Sequence, residues 1–416
     1  MSSIELIAAI VFAIALLHTF SVKYFEQLAH RSLRNAGLFR LLGEVEVVFG
    51  FWAFLLLGLM ALVDGGDRAI AYAESRKYTE PLFVFVIMVV AASRPVLEVI
   101  KGMIETLAKL APLRTAVARV WLCLALVPLV GSLITEPAAM TLAALMLAPL
   151  VFRPGIPERL KYGALGVLFV NVSIGGTLTS FAAPPVLMVA ATWQWDSAFM
   201  ATHFGWRAAI AVVINATVVT ALLSRHLTEP ASRLPADREP PIPLPVTLVH
   251  LMVLSAVVAF AHHPVIFLGA FMLFLGFTQA YPRHQSPLIL KEALLVGFFL
   301  AGLVVLGGLQ QWWLQPIVSS LQPTALFFGA LGLTAITDNA ALTYLGSQIQ
   351  GMTDQAKYML VAGAVAGGGL TVIANAPNPA GVTLLKHGFD DSSIGAGGLL
   401  LGALLPTVVA ATMFLV

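Results

Sequence analysis

ITEPAAMT, at residues 134–141, returns as ITDNAALT at residues 336–343. Five of the eight positions are identical, and an acid replaces an acid at the third position, where Glu136 corresponds to Asp338. Each stretch lies in the middle of a long apolar segment. A charged side chain at membrane depth is unfavourable and is usually functional. The repetition therefore predicts two halves that derive from one duplicated unit, as in many transporters.

The composition predicts a polytopic α-helical membrane protein. Of the 416 residues, 59% are hydrophobic and 11% are charged, against about 25% charged in an ordinary soluble domain. Apolar stretches of about 20 residues match the thickness of a bilayer, and period-two alternation is lacking, which argues against a transmembrane barrel. A single cysteine, Cys123, excludes an intrachain disulfide. The first residues lack a basic region and a cleavage site, so we expect a retained helix rather than a signal peptide.

Eight ordinary spans and two unusual segments are expected. The unusual segments, 119–152 and 322–352, are apolar for over 30 residues but carry polar or turn-forming residues in the middle. Each arm has about 15 residues and is roughly 22 Å long, too short for a core of about 30 Å. They are predicted to be re-entrant hairpins whose tips face protein or a watery cavity. The ordinary spans are 4–20, 43–64, 81–100, 205–223, 246–262, 265–280, 288–309 and 394–416.

A broken helix is expected after each hairpin, at 162–192 and at 357–385. Runs of glycine and proline interrupt both segments, and such runs disrupt helices. Interrupted helices at corresponding positions of two halves are the best sequence indication of a transporter's binding site. The neutral polar side chains expected at this site, on the hairpin tips and the broken helices, are Thr135, Asn171, Ser173, Thr177, Thr179, Thr337, Asn339, Thr371, Asn375 and Asn378.

The distribution of Lys and Arg predicts the topology. If the N-terminus is outside and each hairpin returns to its own side, 17 of the 23 basic residues fall inside and five outside, which is the usual bias. Each half then has five spans, and the odd number inverts the second half. We therefore expect ten spans and two hairpins in two inverted repeats, 1–223 and 246–416, with both termini outside. A proline-rich cytoplasmic linker, 224–245, carries Arg225, Arg233 and Arg238 and joins the repeats.

Glu136 and Asp338 are the acids expected at mid-depth. Burial favours the protonated form of a carboxyl group, and a hard cation such as Na⁺ prefers oxygen ligands and would displace the proton. A site that binds either ion gives obligatory exchange. Because Thr337 and Asn339 flank Asp338, whereas Pro137 follows Glu136, we expect Asp338 to be essential and Glu136 to modulate the exchange. The expected Na⁺ ligands are Asp338, Asn339, Asn171 and Asn375.

The architecture and four short motifs resemble the ion transporter superfamily. The motifs are Thr135–Pro137, Asn171–Thr179, Thr337–Asn339 and Asn375–Pro379. The superfamily includes dicarboxylate/sodium symporters, arsenite permeases and bacterial sodium/proton antiporters of the NhaD type. Its members have two inverted repeats with re-entrant hairpins and unwound helices, and many are homodimers. The dicarboxylate branch typically has Ser-Asn-Thr at the hairpin tips, whereas the acids in this chain disfavour a dianion and resemble the antiporter branch.

The resemblance implies a homodimeric Na⁺/H⁺ antiporter in the bacterial inner membrane, with no cofactor other than the transported ions and no nucleic-acid partner. A carrier of organic anions, dicarboxylates or arsenite is the alternative, although no Arg or Lys is expected at mid-depth. An ion channel is a different class, against which the two offset hairpins argue. Primary ATP-driven transport by this chain alone is not expected, because a nucleotide-binding loop is absent. An enzyme is not expected, because no nucleophile–base pair is evident. Li⁺ and K⁺ are alternatives to Na⁺.

Overall fold

The computed structural model describes residues 2–32, 35–228 and 240–416. Helices make up 79% of the structure, and these ranges contain no strand. The α-helices in these ranges are α1 Ser3–Arg31, α2 Ala36–Leu42, α3 Val45–Asp64, α4 Gly66–Glu74, α5 Thr79–Ala91, α6 Arg94–Leu110, α7 Thr115–Ile134, α8 Glu136–Leu147, α9 Glu158–Gly175, α10 Pro184–Trp193, α11 Ser197–Met200, α12 Trp206–Leu223, α13 Leu244–Ala259, α14 Pro264–Ala280, α15 Leu290–Gly307, α16 Gln311–Ser319, α17 Pro323–Thr334, α18 Asn339–Ser347, α19 Asp354–Gly367, α20 Asn378–Leu385 and α21 Ala396–Leu415.

The helices have the length and composition of membrane spans. Within the described ranges, six helices are long and apolar enough to cross a bilayer, or seven if a bent pair counts as one span. The chain is therefore a multi-pass membrane protein. Helices α13 and α14, expected as spans, have 16 and 17 residues and belong to the shorter apolar helices. The six long spans are α1, α3, α7, α11 with α12, α15 and α21.

The segment expected as one span at 81–100 is bent. Helices α5 and α6 meet at an angle of 61°, and Pro95 lies in the first turn of α6. Proline suits the start of a helix, where its missing N–H is not needed, but not the interior. Beyond the bend, Glu98 and Lys101 form an exposed ion pair at 2.8 Å. The chain therefore changes direction here and does not run as one straight span.

Each predicted hairpin contains two helices that meet at a polar turn. In the first, 119–152, α7 and α8 pack against each other, and Thr135 separates the end of α7 from the start of α8. In the second, 322–352, α17 and α18 part at residues 335–338. Helix α7 has 20 residues, more than the arm of about 15 that the sequence indicated. The other three arms have 12, 12 and 9 residues and are too short to cross a core of about 30 Å.

The two ends of each hairpin lie together. Arg114, before α7, and Arg153, after α8, both donate hydrogen bonds to the segment 224–228 at the end of α12. Gln315, in α16, and Gln350, after α18, exchange two hydrogen bonds of 2.9 Å. Hydrogen bonds therefore tie the chain near the two ends of each helix pair.

The helix after each hairpin is interrupted. Helix α9 is followed by a 3₁₀ turn and non-helical residues before α10 begins, and residues 368–377 separate α19 from α20. Helix α8 packs on α20, and α10 packs on α18. Thus the second arm of each hairpin contacts the second arm of the broken helix in the other half of the chain.

Two close backbone approaches hold this centre together. A Cβ atom on Gly166 would lie 2.3 Å from the backbone of Gly402, so α9 and α21 touch with no room for a side chain. A Cβ atom on Gly369 would lie 2.5 Å from the backbone nitrogen of Val170. Only glycine permits such approach, and the second contact presses the break after α19 against α9.

The linker expected at 224–245 is described in part. Residues 224–228 continue from α12, and residues 240–243 lead into α13. Residues 229–239, with Arg233 and Arg238, lie outside the described residues.

Candidate functional site

Glu136 is a fully buried carboxylate at the first hairpin tip. It is the first residue of α8, and its side chain is 0% exposed. Its Oε2 accepts a 2.8 Å hydrogen bond from Nδ2 of Asn375, in the break after α19. Its Oε1 has no hydrogen-bond partner and lies against Gly176, where a Cβ atom would come within 2.6 Å of it. The tip thus presents one tethered and one unpartnered carboxylate oxygen.

The residue before Glu136 adopts a rare backbone conformation. Thr135 has φ 79° and ψ 151°, a region that is essentially restricted to glycine. Its hydroxyl is buried and has no hydrogen-bond partner. Strain of this kind persists only where the surrounding structure imposes it, and it concentrates at functional sites.

Hydrogen bonds join the first tip to the break after α9. The hydroxyl of Ser132 donates to the carbonyl of Gly175 at 2.7 Å and accepts from the backbone N–H of Leu178 at 3.0 Å. The hydroxyl of Thr179 donates to the carbonyl of Ser132 at 2.6 Å. Thr177 bonds only within its own turn, to the carbonyl of Ile174. The predicted residues Thr177 and Thr179 therefore fix the break through hydrogen bonds that already occupy their hydroxyl hydrogens.

Asp338 caps a helix at the second hairpin tip. Its Oδ1 accepts hydrogen bonds from the backbone N–H groups of Ala340, at 2.8 Å, and Ala341, at 3.1 Å. This is the usual N-cap arrangement, and the residue is half-buried. The adjacent Thr337 donates to the carbonyl of Leu333 at 2.9 Å. The backbone N–H of the next residue, Asn339, bonds to Ala374, and the neighbouring Asn375 bonds to Glu136, so both tips contact the break after α19.

Asn339 lies where the two halves cross. Its side chain is 0% exposed, and neither its Oδ1 nor its Nδ2 has a hydrogen-bond partner. A Cβ atom on Gly368 would lie 2.1 Å from Oγ of Ser173 and 2.9 Å from Nδ2 of Asn339. Ser173 in turn donates to the carbonyl of Val365 at 2.8 Å. Residues from α9, α18 and α19 therefore meet at this point.

The break after α19 is held by its own amides and by the second tip. Nδ2 of Asn378 donates to the carbonyls of Gly368, at 2.8 Å, and Thr371, at 2.9 Å. The hydroxyl of Thr371 donates to the carbonyl of Ala335 at 2.8 Å. The backbone N–H of Asn339 donates to the carbonyl of Ala374 at 3.1 Å. These bonds place the break beside the second tip, and Asn375 bonds to Glu136 at the first tip.

Asn171, predicted as a cation ligand, has all its polar atoms engaged. Its Nδ2 donates to the carbonyls of Leu124 and Val212, and its Oδ1 accepts a 3.0 Å hydrogen bond from Nδ2 of Asn215. Asn215 also donates to the carbonyl of Pro406. The structure therefore assigns Asn171 to a junction of helices α7, α9, α12 and α21 and does not bring it to the tips.

Several buried oxygens at the tips and in the second break have no hydrogen-bond partner. Such atoms are rare in native proteins and often mark a bound ion or water. Hard cations bind carboxylate, amide and hydroxyl oxygens. No group of three or more His, Cys, Asp or Glu suited to a metal occurs in the described ranges, so a cation here would need neutral ligands as well as carboxylate. The unpartnered oxygens are Thr135 Oγ1, Glu136 Oε1, Thr334 Oγ1, Asn339 Oδ1, Asn375 Oδ1 and Asn378 Oδ1.

Sequence reasoning missed three polar residues of this region as site members. Ser132 ties the first tip to the first break, Thr334 has a buried and unpartnered hydroxyl, and Asn215 holds Asn171. Ser132 and Thr334 lie inside the predicted hairpins. Asn215 could have been found as a lone amide in the apolar span 205–223, because such amides usually bond between helices.

Comparison with known proteins agrees with the sequence resemblance. A family profile described as "Putative Na+/H+ antiporter" matches residues 3–416. No curated protein matches the chain significantly in sequence. Among solved structures, the crystal structure of the Alcanivorax borkumensis YdaH transporter is similar, with 13% identity and a TM-score of 0.48 over 89% of this chain and 96% of that one. At that level of similarity the structural comparison does not define the fold.

Proposed function

The chain belongs to this Na⁺/H⁺ antiporter family, and we propose that it exchanges a monovalent cation, Na⁺ first, for H⁺ across the bacterial inner membrane. The observation that carries the proposal is the state of Glu136. It is fully buried, one of its oxygens is held by Asn375, and the other has no hydrogen-bond partner.

The exchange follows from the chemistry of a buried carboxylate. An uncompensated buried charge is strongly unfavourable, so Glu136 is stable either with a proton or with a cation against its free oxygen. The unpartnered oxygens of Thr135 and Asn375 are neutral ligands. Thr135 precedes Glu136 in the chain, and Asn375 is bonded to Glu136. Because a proton and a cation compete for one oxygen, binding of one releases the other.

Glu136, rather than Asp338, is proposed as the exchanging group. Asp338 already uses one oxygen to accept two backbone hydrogen bonds and is half-buried. Its cap fixes the start of α18 and thereby the position of Asn339. We propose that Asp338, whose neighbour Asn339 is bonded to the residue before Asn375, tunes the site through its charge, and that Asn339 and Asn375 are cation ligands. This reverses the order of importance that the sequence alone indicated.

We propose that the exchange proceeds by alternating access between two inverted repeats, 1–223 and 246–416. The hydrogen bonds near the two ends of each hairpin support this, as do the reciprocal contacts of α8 with α20 and of α10 with α18. An arrangement of ten spans requires both α13 and α14 to cross the membrane. Two re-entrant hairpins require that α7 and α8 enter and leave the membrane on the same side. The outside position of the termini and the homodimer remain predictions.

Purified protein in proteoliposomes tests the function. A pulse of external Na⁺ should drive a proton flux that a pH-sensitive dye records, and Li⁺, K⁺ and organic acids should be compared under the same conditions. The Glu136→Gln variant keeps the shape and the hydrogen-bond acceptor for Asn375 but cannot release a proton, and its flux should fall to that of protein-free liposomes. Undiminished flux in a well-folded Glu136→Gln protein would refute the mechanism. Uptake of an organic anion without proton exchange would favour the alternative carrier.

A further inference from the structure

A cavity of about 510 Å³ runs along one side of α10. Leu187, Ala190, Ala191 and Gln194 line it, and their spacing puts them on one face of the helix. Val258 and Ala261, at the end of α13, form part of the opposite wall. The cavity thus follows α10 from its last turn back toward the break that separates it from α9.

The inner end of the cavity is the part that the break after α9 lines, and it is close to the proposed site along the chain. Ser180 lines it there, and its backbone N–H and its hydroxyl lie 3.3 and 3.2 Å from Oγ of Ser197. Ser180 follows Thr179, which is bonded to Ser132. Four residues before Ser180, Gly176 lies against Oε1 of Glu136. The segment 176–180 therefore connects the cavity lining with the buried carboxylate.

The exposed part of the lining, which adjoins this inner end through Ser197, carries a negative charge. Asp196 lines it and is exposed, and its Oδ1 caps α11 by accepting from the backbone N–H of Phe199 at 2.7 Å. The other titratable group in the lining is His262, which is also exposed. No Lys or Arg lines the cavity. A single carboxylate at the mouth raises the local concentration of cations.

We propose that this cavity is the aqueous route by which the transported cation reaches Glu136 from one face of the membrane, and that Asp196 recruits the cation at its mouth. The proposal rests on the exchange function proposed above. The route ends at Ser180, so passage requires the segment 176–180 to move away from Ser132. Under the predicted topology this face is the outer one, because residues 194–197 and 260–263 both connect helices there.

Thiol labelling tests the route without any transport assay. Ser180→Cys probes the inner end and Ala190→Cys the wall, while Val189→Cys, on a buried face of α10 outside the lining, is the matched control. The native Cys123 is buried and serves as background. A membrane-impermeant cationic methanethiosulfonate should modify the first two variants in oriented vesicles from one face only and leave Val189→Cys unmodified. Absence of modification of Ser180→Cys from either face overturns the route.

The charge of Asp196 is tested in the Ala190→Cys background. Asp196→Asn keeps the acceptor for Phe199 and removes the charge. At low salt, the ratio of the modification rate by the cationic reagent to that by the anionic reagent should be about threefold lower in Asp196→Asn. At high salt the proteins with and without this substitution should give the same ratio. In wild-type Ala190 protein, Asp196→Asn should raise the Na⁺ concentration for half-maximal proton flux without lowering the maximal rate. An unchanged reagent ratio overturns the role of Asp196. A wild-type protein that moves no protons with any cation refutes the exchange function, while labelling of Ser180→Cys still decides whether the cavity reaches the break.

Discussion

Nδ2 of Asn375 and Oε2 of Glu136 are 2.8 Å apart although 239 positions separate the two residues. The bond joins the first hairpin tip to the break in the second half of the chain. It therefore couples the two halves at the one carboxylate that is fully buried there. Whatever moves one half relative to the other must break, keep or replace this bond.

This bond can be measured with a double-mutant cycle. Asn375→Ala leaves Oε2 of Glu136 without a donor in a buried place, and we expect a loss of about 1–3 kcal/mol in the free energy of unfolding. In a Glu136→Gln background, Asn375→Ala should cause a smaller loss in the free energy of unfolding, because the hydrogen-bond partner is then neutral. Unfolding of the four proteins in detergent gives a coupling energy, expected between about 0.5 and 3 kcal/mol. A coupling of zero would show that the bond contributes nothing to stability.

Asp338 is expected to act through its cap and its charge, and two substitutions separate these effects. Asp338→Asn keeps a good N-cap, so stability should hold, whereas Asp338→Ala should lose about 0.5–2 kcal/mol. Asp338→Asn removes the charge. The proton flux should therefore be reduced but not abolished, and its pH dependence should shift. Melting temperature and proteoliposome flux are the two readouts. Complete loss of flux in a stable Asp338→Asn protein would instead make Asp338 the exchanging acid.

Asn171 is expected to be a structural residue rather than a ligand. Asn171→Ala removes its hydrogen bonds to Leu124, Val212 and Asn215, each worth about 0.6 kcal/mol on average within membranes. The melting temperature should fall, while the Na⁺ concentration for half-maximal flux should stay within about twofold of the wild type, since a twofold change is only about 0.4 kcal/mol. A large rise in that concentration with no loss of stability would return Asn171 to the cation site.

The crossing point of the halves is expected to be intolerant of a methyl group. Gly368→Ala would press a Cβ atom against Ser173 and Asn339, and overpacking of this kind costs about 1–3 kcal/mol. Gly276→Ala is the matched control, because a Cβ atom there meets nothing within 4 Å and alanine favours helix by about 1 kcal/mol. In thermal unfolding, the melting temperature should fall in Gly368→Ala and rise in Gly276→Ala. Equal stability of both would mean that the centre adapts readily.

Cysteine labelling at three exposed positions tests the topology. The single native cysteine is buried and does not interfere. Arg159→Cys, after the first hairpin, should be labelled only from the cytoplasm. Ser320→Cys and Gln355→Cys, which flank the second hairpin, should be labelled only from outside. If the last two are labelled from opposite faces, the helices between them span the membrane and the inverted arrangement is wrong.

The sequence predicted what depends on local pattern. The repeated octets located both tips, and glycine and proline runs located helix interruptions within 162–192 and 357–385, because these signals act through the backbone itself. The helical membrane class followed from composition alone, and the resemblance to sodium/proton antiporters is confirmed by the family match.

What depends on distant partners was not predictable in the same way. Glu136 looked like the lesser ligand because Pro137 follows it in sequence, yet its partner is Asn375, 239 positions away. Asn171 lies in a motif of oxygens, yet its partners come from two other helices, α7 and α12. Local spacing says which side chains are available, whereas the tertiary neighbours decide which of them remain free.

The bond between Glu136 and Asn375 also sets an order of events during synthesis. Gln315 and Gln350 lie 35 residues apart, so the base of the second hairpin can close almost as soon as it is made. Glu136 leaves the ribosome 239 residues before Asn375, and at about 5–20 residues per second it waits roughly 12–48 seconds for this partner. Through that interval Glu136 has no native hydrogen-bond partner. The contact between the first tip and the second break can therefore form only late in synthesis, and a chain truncated before Asn375 would carry Glu136 without this bond.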